Sequence, residues 1–185
     1  MKRIALALAF ASLIPAAHAV EYTQVQVDKS AVNFVYKQMG VAVDGKFRRF
    51  SSTLNFDPAK PAAAKATFDV DLASVDTGAT EGDQEVAGKQ WFNTKAFPTA
   101  RFVSGSVKAL GGNRYEVAGQ LTIKGKTQPV VAPTTVTVQG DQATFDGSFV
   151  IKRADFAIGE GDWADFSVVA NEIQVKFKVL ASGGK

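Results

Sequence analysis

QWFNTKAFPTARFVSGS, residues 90–106, sets the rings of Trp91, Phe92, Phe97 and Phe102 beside Pro98. Proline fixes φ and has no N–H to donate, so neither a helix nor a central strand runs through Pro98. After it the pattern alternates. Ala100, Phe102 and Ser104 fall on one face and Arg101 and Val103 on the other, which predicts a strand starting there. A strand entered through such a ring cluster has two readings: the rings rim an apolar opening, or they plug the end of a β-domain core.

The same period of two extends in both directions. Val32, Phe34 and Tyr36 alternate with Asn33, Val35 and Lys37, and the run ends in a bend or bulge at Met39-Gly40. Leu54 and Phe56 share a face that stops at Asp57-Pro58, and residues 57–64 form a loop. Ala66, Phe68 and Val70 oppose Thr67, Asp69 and Asp71, the pattern of a half-buried antiparallel strand. Further strands are predicted over residues 100–108, 115–123, 130–138, 143–151 and 172–180. Gly111-Gly112-Asn113, Lys124-Gly125-Lys126 and Gly140-Asp141 mark the turns between them. Only TGATEGDQEVAGK, residues 77–89, breaks the alternation and predicts one short helix. Thr80 and Asp83 there have capping-box spacing, while Gly82 and Gly88 lower the helix propensity. About eight strands with one helical interruption give an all-β sandwich or barrel. Eight favour the barrel, because closure removes both sheet edges.

The N-terminus has the grammar of an export leader. Lys2 and Arg3 precede an apolar run from Ile4 to Ile14, and Ala17-His18-Ala19 supplies the small-x-small cleavage pattern. A signal peptide over residues 1–19, cut after Ala19, leaves one domain over residues 20–185 and a periplasmic destination. The apolar run is too short to span a bilayer, and no later segment has the roughly 20 apolar residues of a membrane helix, so no stable membrane insertion is expected. Lys2 and Arg3 leave with the leader and all 18 acidic residues stay, so the mature formal charge falls from +3 to +1. That balance gives no support to nucleic-acid binding. Lys46, Arg48 and Arg49, the tight basic cluster, suit a solvated strand face.

Two counts are more decisive. The chain has no cysteine, and its single histidine, His18, lies in the leader. This excludes a cysteine nucleophile, a Ser-His-Asp triad, a histidine base, haem ligation through His or Cys and ordinary zinc sites. Asp69 and Asp71 share a strand face, but the face opposite Phe68 and Val70 belongs to solvent. Asp155, Glu160, Asp162 and Asp165 offer oxygen ligands without an EF-hand spacing. No G-x-S-x-G elbow, phosphate loop or dinucleotide fingerprint occurs. No catalytic residue, metal site or cofactor is expected.

Aromatic surface is what the chain has in quantity. Of 14 phenylalanines only Phe10 belongs to the leader, and Phe34, Phe56, Phe68, Phe102, Phe145, Phe149 and Phe177 fall on predicted inward faces. In a sandwich these rings would meet at the centre. In a barrel they would line an elongated space for one apolar ligand.

The runs WFNTKAFPTARFVS, GQLTIKGKTQPV and IKRADFAIG, in this order, resemble the bacterial YceI-like family of exported lipid-binding proteins. Further matching features are Asp28 and Ser30, Gly45-Lys46-Phe47, Phe56-Asp57-Pro58, Ser74 with Asp76-Thr77, and Asp83; the resemblance runs from about Tyr22 to Leu180. It implies an extended eight-stranded antiparallel, lipocalin-like barrel with a helix near its mouth, holding an isoprenoid chain or related amphiphile. Many members carry histidines near the positions of Lys29, Gln38 and Glu85 and an arginine at that of Gly82, so the cavity is carried over and the head-group contacts are not. The expected lining is Phe34, Phe56, Phe68, Phe102, Leu121, Ile123, Phe145 and Phe149, with Trp91, Phe92 and Phe97 near the mouth or helix. A carrier of a polyprenyl, quinone-like or fatty chain is the leading reading, and homodimer formation stays open. A partner-binding β-domain with a filled core and a histidine-free hydrolase are the alternatives.

Overall fold

The computed structural model describes residues 20–184, and the expected leader, residues 1–19, lies outside the described residues. All strands belong to one curled antiparallel sheet, so the sandwich is set aside. Among the described residues there are eleven strands where eight are expected. The eight are β2 (Ala31–Gln38), β4 (Phe50–Asn55), β5 (Lys65–Asp71), β7 (Thr99–Gly111), β8 (Arg114–Ile123), β9 (Lys126–Gln139), β10 (Gln142–Lys152) and β11 (Glu172–Gly183). The additional ones are β1 (Tyr22–Val25), β3 (Val41–Phe47) and β6 (Val75–Asp76). Two of these are too short to show a period. In β3, Gly45 occupies an inward position where a large residue would have revealed it.

Met39 and Gly40 both take positive φ, 48° and 80°, and form a two-residue turn that folds β3 back onto β2. Lys124 and Gly125 do the same between β8 and β9, at 49° and 72°. The hydrogen-bonded order is β4-β5-β7-β8-β9-β10-β11-β2-β3-β6, and β1 adds to β11. β1 ties the β4 end of this path back to β11. The Tyr22 N–H donates to the Phe56 carbonyl at 2.8 Å and the Phe56 N–H donates back to Tyr22 at 3.1 Å.

One interior junction is open by chemistry. β9 pairs with β10 only from Gln139 back to Thr134, and the next residue is Pro133, which has no N–H to continue the ladder. Beyond it β10 leans away from β9 and runs into the turn Arg153–Phe156.

The predicted helix is α1 (Thr80–Ala87), though its cap differs from the expected box. Ala79 is the N-cap, and the Asp83 carboxylate instead accepts from the Thr77 N–H at 2.7 Å and the Thr77 hydroxyl at 2.8 Å. Buried residues form two clusters. The one at the α1 end includes Trp91, Leu121, Ile123, Ile151 and Phe156, and the one at the far end Tyr22, Phe56, Phe145 and Val179.

Candidate functional site

The curled sheet encloses a cavity of about 300 Å³ that reaches from one cluster to the other. Phe34, Phe56, Phe68, Phe102, Leu121, Ile123, Phe145 and Phe149 all line it, as do Trp91 and Phe92. Phe97 does not. Asn93 takes φ 51° and its carbonyl accepts from the Phe97 N–H at 2.9 Å, a tight turn that leaves Phe97 against the Gly125 turn, outside the cavity. Trp91, expected near the mouth or helix, is buried in the cluster at the α1 end, and its indole N–H has no partner. Of the four positions where the resemblance fails, Gln38, Gly82 and Glu85 line the α1 end. Lys29 lies outside the lining.

The lining is almost wholly apolar, and its phenols and charges mark the two ends. Tyr36, Gln38, Glu85 and Arg153 stand at the α1 end; Lys65 and Tyr115 stand towards the other. Burial pushes the Tyr36 phenol up from its ordinary value, so it is a neutral hydroxyl at any physiological pH.

Arg153 organises the α1 end and was missed by sequence reasoning. It is 1% exposed, and no carboxylate pairs with it among the described residues. Its guanidinium spends every N–H on backbone carbonyls: Nη1 donates to Ile158 at 2.9 Å and Gly159 at 2.7 Å, and Nη2 donates to Trp163 at 2.7 Å and Val169 at 2.8 Å. Nε is shared between Val169 and Ala170. The Phe166 and Trp91 rings lie 5.0 and 5.6 Å from its central carbon. Burial lowers its pKa, yet a guanidinium starts so high that it stays charged. The signal was available, because the inward alternation Phe145, Gly147, Phe149, Ile151 continues to Arg153.

By gathering these carbonyls Arg153 shapes the loop that carries Trp163 over the cavity. Trp163 stacks at 5.5 Å from Trp91, and its indole N–H donates to the Glu85 carboxylate at 2.8 Å. Thus α1 and the loop after β10 are latched together.

Three of the carboxylates read as candidate catalytic or metal groups are paired with cations. Arg101 Nη1 donates to both oxygens of Asp69 at 2.8 Å, Arg49 donates to Asp71 at 2.7 and 2.9 Å, and Lys124 pairs with Glu160 at 2.9 Å. Among the described residues no group of three or more acidic, histidine or cysteine side chains is placed to hold a metal. No helix among them is long and apolar enough to cross a membrane.

Known proteins share this architecture. The crystal structure of BcnA from Burkholderia cenocepacia is 46% identical and superposes with a TM-score of 0.84, over 86% of this chain and all of that one. A polyisoprenoid binding domain from Saccharophagus degradans shares the fold at 18% identity and a TM-score of 0.70, over 89% of this chain and 99% of that domain. The protein YceI of Escherichia coli O6:H1 is 35% identical over 169 residues, covering 85% of this chain and 88% of that protein. A YceI-like domain profile matches residues 23–181, and the chain therefore belongs to the YceI-like family.

Proposed function

We propose that this protein is a periplasmic carrier that encloses one long apolar chain, isoprenoid-like (polyprenyl or quinone) or fatty, in a lipocalin-like barrel. The supporting observation is the continuous, aromatic-lined cavity of about 300 Å³. Left empty, such a space forfeits about 7 kcal/mol at roughly 24 cal/mol per Å³, comparable to the whole stability of a domain. Occupied by about 20 ligand carbons at roughly 0.8 kcal/mol each, it gains about 16 kcal/mol gross, well above the several kcal/mol that association costs. The fold shared with a polyisoprenoid binding domain agrees with this choice of cargo.

In this reading residues 1–19 are a leader removed after Ala19, residues 20–185 are the mature carrier, and the chain enters beneath α1, where Gln38 and Glu85 bring the lining to the surface. The ligand-binding residues are Phe34, Phe56, Phe68, Trp91, Phe92, Phe102, Leu121, Ile123, Phe145 and Phe149. No covalent chemistry is assigned: Asp69, Asp71 and Glu160 are held by Arg101, Arg49 and Lys124. A filled core would leave no space of this size.

Native mass spectrometry of the mature protein taken from its own periplasm, followed by solvent extraction, tests the reading. The expected result is one bound prenyl, quinone-like or fatty species per chain. A bare protein that also takes up no offered chain overturns it.

A further inference from the structure

Three inward positions of the sheet carry glycine. Gly45 lies between Val43 and Phe47 on β3, Gly119 between Val117 and Leu121 on β8, and Gly147 between Phe145 and Phe149 on β10. None of the three has positive φ, so the backbone does not call for glycine at any of them. Space does. A β carbon added at each would fall inside van der Waals contact with a cavity-lining ring: Phe34 over Gly45, Phe102 over Gly119 and Phe177 over Gly147. Phe34 and Gly45 are register partners on paired strands, and so are Phe177 and Gly147. Phe102, whose register partner is Leu121, leans diagonally onto Gly119.

Each ring therefore lies back along the wall on the one residue type that leaves room for it. Phe102 and Phe177 come to one level through Phe68, the register partner of Phe102, whereas Phe34 packs 5.3 Å from Phe47 and 6.1 Å from Tyr36 in the α1 half. Phe102 packs on the cluster at the α1 end, while Phe177 and Phe68 pack on the far cluster, with 6.4 Å between those two ring centres. This is the waist between the two halves of the cavity. On β10 the inward residues Phe145 to Ile151 cover roughly 20 Å of strand at about 3.3 Å per residue, so a chain must pass the waist to use the full length.

We propose that Gly119 and Gly147 at this waist, with Gly45 in the α1 half, set the bore of the cavity, and through it the length of apolar chain the protein accepts. With the rings laid back a long chain runs from the α1 end to Phe56. With a ring raised, a long chain cannot run past it and only a short chain fits. The inference rests on the apolar-chain reading above. Gly45 gives the cleanest test, because a β carbon there meets the Phe34 ring alone, whereas at Gly119 and Gly147 it also meets the backbone carbonyls of Val103 and Pro133.

The experiment offers farnesol and geranylgeraniol, all-trans prenols of three and four isoprene units, in detergent micelles and reads bound prenol by native mass spectrometry, with circular dichroism reporting the fold. The full mature chain should take up both. Gly45→Ala should retain farnesol and lose geranylgeraniol affinity by about tenfold or more, and adding Phe34→Ala should restore geranylgeraniol by removing the displaced ring. Gly45→Ala binding both prenols in the unaltered proportion, or losing both alike, overturns the proposal, as does a double variant that does not regain geranylgeraniol. If Gly45→Ala fails to fold, the double variant decides alone: geranylgeraniol retained supports the bore, and geranylgeraniol lost with farnesol kept overturns it. An unaltered protein that binds neither prenol overturns the carrier reading, and the bore with it.

Discussion

The indole N–H of Trp163 donates to the Glu85 carboxylate at 2.8 Å, joining the loop after β10 to α1 across the end of the cavity. Both side chains line the cavity and neither is deeply buried, so the bond acts as a latch on the way in and out. Trp163→Phe removes the donor and keeps a ring over Trp91. A hydrogen bond to a charged group contributes about 1.5 kcal/mol at the low end, so release of a bound prenol should quicken by about tenfold. Stopped-flow displacement checks this, and Tm should fall by no more than roughly 3–6 °C.

Removing Arg153 should be far more damaging. Arg153→Met strips the carbonyls of Ile158, Gly159, Trp163 and Val169 of their donors while leaving them buried. A loss of about 4 kcal/mol is expected, which for a domain of this size lowers Tm by roughly 8–16 °C. Arg153→Lys should recover little, since an ammonium cannot reproduce the planar fork. Calorimetry of the two variants separates lost geometry from lost charge.

Cargo should stabilise the fold by mass action. A prenol at about 100 times its Kd adds about 2.7 kcal/mol, which raises Tm by roughly 5–11 °C. Scanning extracted and reloaded protein side by side measures it. Equal melting curves would show that the cavity is not where the chain binds.

A single charge in the lining should act locally. Phe102→Asp places a carboxylate at the waist, with burial opposing its ionisation and no cation beside it to offset that. Prenol uptake should fall below detection, measured beside Val103→Asp, whose side chain is on the exposed outer face and should leave uptake intact.

Stability should depend on acid but not on neutral pH. The Gly78 N–H first, then Arg48, hold the Asp76 carboxyl below its ordinary range; Lys124 does so for Glu160, and the Ser167 hydroxyl and N–H for Asp165. A depressed folded pKa contributes stability that is fully present above the unfolded value and is lost as pH falls through the folded one. With no histidine after His18, Tm should stay level from about pH 6 to 8 and fall below about pH 4. Asp76→Asn should flatten part of the acid limb in a pH series of thermal melts.

The residues that were legible in advance are those for which period two decides the face. Phe68 and Phe102 could be placed because Asp69, Arg101 and Val103 beside them mark the outer side, and the cavity lining follows directly. β3 stayed hidden for the reason that makes it useful: Gly45 has no side chain to show, and its meaning depends on Phe34 across the ladder. Phe97 was misplaced because it was grouped with neighbouring rings, when a left-handed Asn93 decides where it points. Arg153 broke an apolar series, and only the loop that folds over it supplies the carbonyls that make its burial tolerable.

Most strand pairs here join neighbours in the chain, but β1 pairs with β11, so Tyr22 sits opposite Gly183. The two partners stand 161 residues apart in the chain. The container therefore closes only once β11 is in place. Such distant pairing slows folding, so the interval before closure is when the apolar inward faces of the strands stand exposed.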